Sequence, residues 1–87
     1  MLTLLFFARL RELAGTARLE IDDLPLPLPL TELTTQLRAR NPVLAEVLTV
    51  GRPLRAALNQ QMVAHDSVQV MVHDGDELAF FPPVTGG

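Results

Sequence analysis

The sequence predicts an α+β domain in which a mixed sheet of about five strands carries one main helix across one face. Three observations lead there. Segments with strand character stand at both ends of the chain, residues 2–7 and 77–81. A leucine stripe at helical spacing, Leu30, Leu33 and Leu37, separates an early strand pair from a later group. With 87 residues the chain has room for one core only, so sheet and helix must bury their apolar faces against each other.

The elements follow in order. Residues 2–7 are rich in Leu and Phe and read as a buried first strand. Residues 8–13 make a short helical turn that closes at Ala14-Gly15, where glycine takes the left-handed C-terminal position. Ala17, Leu19 and Ile21 alternate with Arg18 and Glu20, the period of a half-buried strand. The run Leu24-Pro25-Leu26-Pro27-Leu28-Pro29-Leu30 excludes helix interior and central strand, because each proline lacks an N–H, and reads as an extended connector. The leucine-striped helix starts either behind a Thr31 cap or nearer Pro29, and Asn41-Pro42 stops it. Residues 43–48 add a short second helix, broken by Gly51 and Pro53. Residues 54–58 and 61–63 read as strands around Asn59-Gln60, and residues 68–72 as an extension of the sheet. Asp74-Gly75-Asp76 turns the chain into the last strand, residues 77–81. In this grasp-like order the first and last strands lie side by side at the centre.

Strand parity then sorts the side chains. Leu2, Leu4 and Phe6 share one face with Leu78 and Phe80, whereas Thr3, Leu5 and Phe7 share the other with Glu77, Ala79 and Phe81. The face carrying Thr3 and Glu77 is the outward one. Phe7 and Phe81 therefore emerge together on open surface as a docking patch, unless a loop or the connector covers them.

Composition narrows the function. Apolar residues make up 48% of the chain, enough for a packed globule. All seven basic residues are arginine and the net charge is −3, which lacks the clustered basic face that nucleic acid requires. No cysteine is present, so disulfides, thiolate zinc sites and a cysteine nucleophile are excluded. The apolar start has no basic flank and is too short to span a bilayer, pointing to a cytoplasmic protein. His65 and His73 fit no metal-ligand spacing, and Asp74, Asp76 and Glu77 form a turn too short for a calcium loop, so no metal site is expected.

The end of the chain is its most distinctive part. Pro82 and Pro83 cannot continue a sheet ladder, and Val84-Thr85-Gly86-Gly87 tapers to the most slender backbone available. This divides the chain into a domain, residues 1–81, and an extended, flexible tail, residues 82–87, whose chemically distinctive group is the Gly87 carboxylate. A Gly-Gly end by itself is a weak signal, since unstructured ends and expression scars share it.

At this point the chain resembles the sulfur-carrying small subunits of molybdopterin synthase, ubiquitin-like β-grasp proteins related to the thiamin sulfur carriers. The resemblance runs through Leu5-Phe6-Phe7-Ala8, Arg11-Glu12-Leu13 with Gly15-Thr16, Ala57-Leu58-Asn59-Gln60, Asp74-Gly75-Asp76-Glu77 and the ending Phe80-Phe81-Pro82-Pro83-Val84-Thr85-Gly86-Gly87. It implies that a partner activating enzyme, consuming ATP and magnesium, adenylates Gly87, and that sulfur from a protein persulfide then converts it to a thiocarboxylate. The charged tail is implied to enter the large subunit, which holds the catalytic pocket, and to sulfurate cyclic pyranopterin monophosphate in a heterotetramer. No cofactor is implied to stay bound. Gly86 is implied to give the tail clearance, and Phe7 and Phe81 match partner-facing aromatics. Arg11 matches an arginine near that patch. Met62 matches an apolar contact position, with core filling as the alternative. A sulfur carrier of another pathway, such as thiamin synthesis or tRNA thiolation, and a ubiquitin-like protein modifier share the same tail chemistry. The Leu-Pro connector and the strand-like run of residues 67–72 depart from the family pattern.

Overall fold

A computed structural model describes residues 1–48, 55–64 and 68–82. Its elements are β1 (Leu2–Phe6), α1 (Arg9–Ala14), β2 (Arg18–Ile21), β3 (Leu28–Pro29), α2 (Leu30–Arg40), α3 (Pro42–Val47), β4 (Arg55–Leu58), β5 (Gln61–Val63), β6 (Met71–Val72) and β7 (Glu77–Phe81). The main sheet runs β2-β1-β7-β4-β5. β1 and β7 pair in parallel, with Leu4 opposite Leu78 and Phe6 opposite Phe80, and the other pairs are antiparallel. The expected β-grasp follows: the first and last strands lie side by side near the middle of one sheet, and α2 lies across it.

The parity reading holds for the inner face, whereas on the outer face Ala79 and its partner Ala57 are buried as well. Leu2, Leu4 and Phe6 are buried, and Leu78 and Phe80 complete their layer. The Phe6 and Phe80 rings stack with centroids 6.1 Å apart. Against them α2 presents Leu30, Leu33 and Leu37, each fully buried, so the stripe read from the sequence is the helix face that closes the core. Leu44 and Val47 of α3 extend that layer.

Local chemistry explains the boundaries. Gly15 ends α1 in the left-handed region, φ 76°, and donates its N–H to the Arg11 carbonyl at 3.0 Å. Asn41 ends α2 and begins α3, its Oδ1 accepting from the Val43 N–H at 2.8 Å. Pro42 then sits in the first helical position, where its missing N–H would have had no partner. The alternative start of α2 near Pro29 is the one adopted. Thr31 lies inside the helix, and the Leu30 N–H is satisfied from outside by the Val70 carbonyl at 2.8 Å.

Residues 68–72 do not extend the main sheet. Only Met71–Val72 forms a strand, which pairs with Leu28–Pro29 in a separate two-stranded ribbon. The proline connector accounts for this, because its residues Leu28 and Pro29 offer an edge just before α2 that captures the later segment. Leu54, the Gly51 and Pro53 breakers, His65, Ser67 and the tail residues 83–87 lie outside the described residues.

Candidate functional site

The expected docking patch is assembled where β1 and β7 end. Phe7, the residue after β1, donates its N–H to the Phe80 carbonyl at 3.3 Å, which extends the parallel ladder by one step. That step places Phe7 beside Phe81. Their rings stack with centroids 4.8 Å apart and planes 7° from parallel. Phe7 remains 43% exposed, so neither a loop nor the connector buries it, and Phe81 is half-buried beneath it. A stacked aromatic pair facing solvent on an ordered strand is the kind of apolar anchor that protein interfaces use.

Backbone geometry forces this exposure. Ala8 adopts φ 54° and ψ −127°, a conformation that glycine prefers and other residues enter at a cost of about 1–3 kcal/mol. The reversal lets the chain leave β1 and enter α1 directly, so Leu10 turns into the core while Phe7 stays outside.

Other predicted contact residues lie on neighbouring elements. Across the outer face Ala79 is in register with Ala57 and Ala57 with Met62, which puts Met62 on the same side as Phe81. Met62 is 55% exposed, so the core-filling alternative is wrong for it. Arg11 is exposed on α1, the element that follows Phe7. Pro82 is half-buried immediately after β7, and Pro83, Val84, Thr85, Gly86 and Gly87 lie beyond the described residues. Two features of the site escaped the sequence reading. One is the strained turn at Ala8, for which alanine gives no signal. The other is Arg55, which the antiparallel register sets directly opposite Phe81 and which is exposed there.

The opposite end of the sheet is built differently. Asn59 and Gln60 both have positive φ, 49° and 70°, as a two-residue primed turn demands. The Asn59 Oδ1 accepts from the Glu77 N–H at 3.0 Å, and its Nδ2 donates to Asp76 Oδ1 at 3.0 Å. Asp76 Oδ2 accepts from the His73 N–H at 2.8 Å, and the Met1 ammonium pairs with Asp74. A hollow of about 340 Å³ lined by Met1, Ile21, Asp22, Leu24, Leu26 and Asp74 lies at this end, away from the aromatic stack. Among the described residues no helix is long and apolar enough to cross a membrane.

Comparison with known proteins adds four findings. The sequence pattern of the ThiS family matches residues 4–87. A protein of Escherichia coli named molybdopterin synthase sulfur carrier subunit is 43% identical over 88 residues, with 100% of both chains covered. Among solved structures, a putative molybdopterin converting factor subunit 1 of Pyrococcus furiosus superposes with a TM-score of 0.69 at 26% identity, covering 95% of this chain and 97% of that one. The small archaeal modifier protein 1 of Methanosarcina acetivorans does so with a TM-score of 0.65 at 25% identity, covering 99% and 95%.

Proposed function

The chain belongs to the ThiS family, and from that membership we propose that it is a sulfur carrier of molybdenum cofactor biosynthesis, acting as the small subunit of a molybdopterin synthase. The observation that carries this reading is the solvent-facing Phe7–Phe81 stack at the root of an ending that tapers to Gly86-Gly87. Residues 1–81 form the docking body and residues 82–87 the reactive tail.

The chemistry resides in the Gly87 carboxylate. A carboxylate is a poor electrophile, so an activating enzyme joins it to the α-phosphate of ATP, with magnesium and release of pyrophosphate, giving an acyl-adenylate. A persulfide sulfur then displaces AMP to give an acyl disulfide, and a second thiol attacks the donor's sulfur, forming a disulfide with it and releasing the thiocarboxylate. Its sulfur is softer and less tightly solvated than oxygen, hence the better nucleophile toward cyclic pyranopterin monophosphate held by the large subunit. Hydrolysis afterwards restores the carboxylate, and two such transfers build the dithiolene.

The residues of this chain bind and position rather than catalyse. The stack anchors the body on the large subunit, which holds the catalytic pocket, and the Pro-Pro pair after β7 lacks the N–H groups that would continue the sheet ladder. Arg11 and Met62 border the contact. Gly86 lets the backbone pass through a narrow channel that a side chain would block. ATP and magnesium are consumed on the activating enzyme, no cofactor stays bound here, and the cycle runs in the cytoplasm.

The test is formation of molybdopterin from the precursor, with the large subunit and the charged chain. The full chain is expected to support it, and a chain lacking Gly87 is expected to give none. Full product without Gly87 would overturn the reading. A second reading, attachment to other proteins as a modifier, is favoured by the likeness to the small archaeal modifier protein. It predicts ATP-dependent adducts of higher mass on other proteins, linked through Gly87. A carrier for thiamin synthesis or tRNA thiolation would accept the same sulfur but would not bind the large synthase subunit.

A further inference from the structure

Charge is segregated along the sheet. β1 and β7 are parallel, so Phe6 and Phe81 finish at one end. β4 is antiparallel to β7 and starts at that end with Arg55, and α1 leaves β1 there carrying Arg9 and Arg11. All three arginines are exposed, and none of their guanidinium groups has a hydrogen-bond or ion-pair partner among the described residues. The remaining described arginines are engaged: Arg18 with Glu20 at 2.9 Å, Arg38 with the Leu48 carbonyl at 3.2 Å, and Arg40 with Asp23. On α1 the cations face one acidic neighbour, Glu12. The opposite end holds Asp74, Asp76 and Glu77 where β7 begins. A chain of net charge −3 is therefore cationic where its tail departs.

Nothing inside the described fold uses these three guanidinium groups. Exposed, unpaired charges add little to stability, but grouped at one end they set the orientation in which a charged surface attracts the molecule. We propose that Arg9, Arg11 and Arg55 form a cationic collar that steers the tail-bearing end onto a protein surface whose apolar slot is rimmed by carboxylates. Arg55, opposite Phe81, makes the direct ion pair beside the aromatic anchor. Arg9 and Arg11 act at longer range, and the acidic far end repels the reversed approach. The inference rests on the reading that the Phe7–Phe81 end docks, and it adds the charge of the surface that receives it.

The test is stopped-flow association with the large synthase subunit over a salt series, for wild type, the Arg9→Glu/Arg55→Glu double variant, Arg55→Lys and Phe81→Ala. The substituted arginines are exposed, and coincident thermal unfolding of wild type and double variant checks that the fold is kept. Charge reversal is expected to slow association about tenfold or more at low salt and to remove most of the salt dependence. Arg55→Lys, which keeps the charge, is expected to stay within about threefold of wild type. Phe81→Ala should raise the dissociation rate while leaving the salt dependence in place. A double variant with the wild-type rate and salt slope, alongside a weakened Phe81→Ala complex, would overturn the collar and leave the docking reading standing. If Phe81→Ala also binds as wild type does, the docking reading itself falls and the collar with it.

Discussion

Where β7 begins, Asn59, His73, Asp76 and Glu77 satisfy one another's polar groups, and the Met1 ammonium closes the turn onto Asp74. At the other end of this five-residue strand Phe7 and Phe81 stack in the open, Ala8 holds a strained backbone, and the Arg55 guanidinium stands without a partner among the described residues. The same two central strands thus join a closed end to an open one. The closed end sets the register of β7 against β4 and β1. The open end inherits that register, which places two aromatic rings in contact without any core around them. Stability and docking are properties of opposite ends of one strand pair, so substitutions can separate them.

The sharpest separation uses neighbouring phenylalanines. Phe80 is fully buried, and Phe80→Ala is expected to cost about 3–5 kcal/mol in chemical denaturation. Phe81→Ala, one residue on and facing outward, is expected to cost about 1 kcal/mol or less in stability while weakening the large-subunit complex by at least about tenfold. Equal losses of stability would erase the distinction between the two faces.

Asn59→Gly tests the closed end, since glycine keeps the left-handed turn and removes only the side-chain bonds to Asp76 and Glu77. A loss of about 1–2 kcal/mol in urea unfolding is expected, with affinity for the large subunit unchanged. Ala8→Gly tests the open end in the opposite sense. Relief of the positive φ is expected to leave stability unchanged or raise it by about 1 kcal/mol, and looser placement of Phe7 should show as faster dissociation.

The smallest effect lies off both ends. The hydrogen bond from the Arg40 guanidinium, helped by its charge, holds the Asp23 carboxyl below its ordinary value of 3.8. A depressed folded-state pKa contributes stability above the unfolded value and loses it as pH falls through the folded one. Arg40→Ala is therefore expected to be slightly less stable than wild type at neutral pH. That gap should close on acidification below the ordinary carboxylate range, as read by urea unfolding at both pH values.

Much of this was legible from residue order. Leucine spacing identified the buried face of α2, and alternation on two strands put Phe7 and Phe81 on one side. What stayed hidden depended on pairing between distant segments. Arg55 gains its meaning only from standing opposite Phe81, and no local pattern reports an antiparallel register. The two segments around Asn59 and Asp76 could be picked out separately, but that they bond to each other is a fact of the third dimension. Residues 68–72 misled because strand propensity says nothing of which edge is free. The edge available was the short one at Leu28–Pro29.

The central claim concerns one functional group, and intact-mass spectrometry reads it directly. After incubation with the activating enzyme, ATP, magnesium and a persulfide donor, the chain should gain the mass of one oxygen-to-sulfur exchange. Fragmentation should place the gain at Gly87, and a chain lacking Gly87 should show none. A chain that is adenylated yet never gains sulfur, or that gains it elsewhere, would contradict the account.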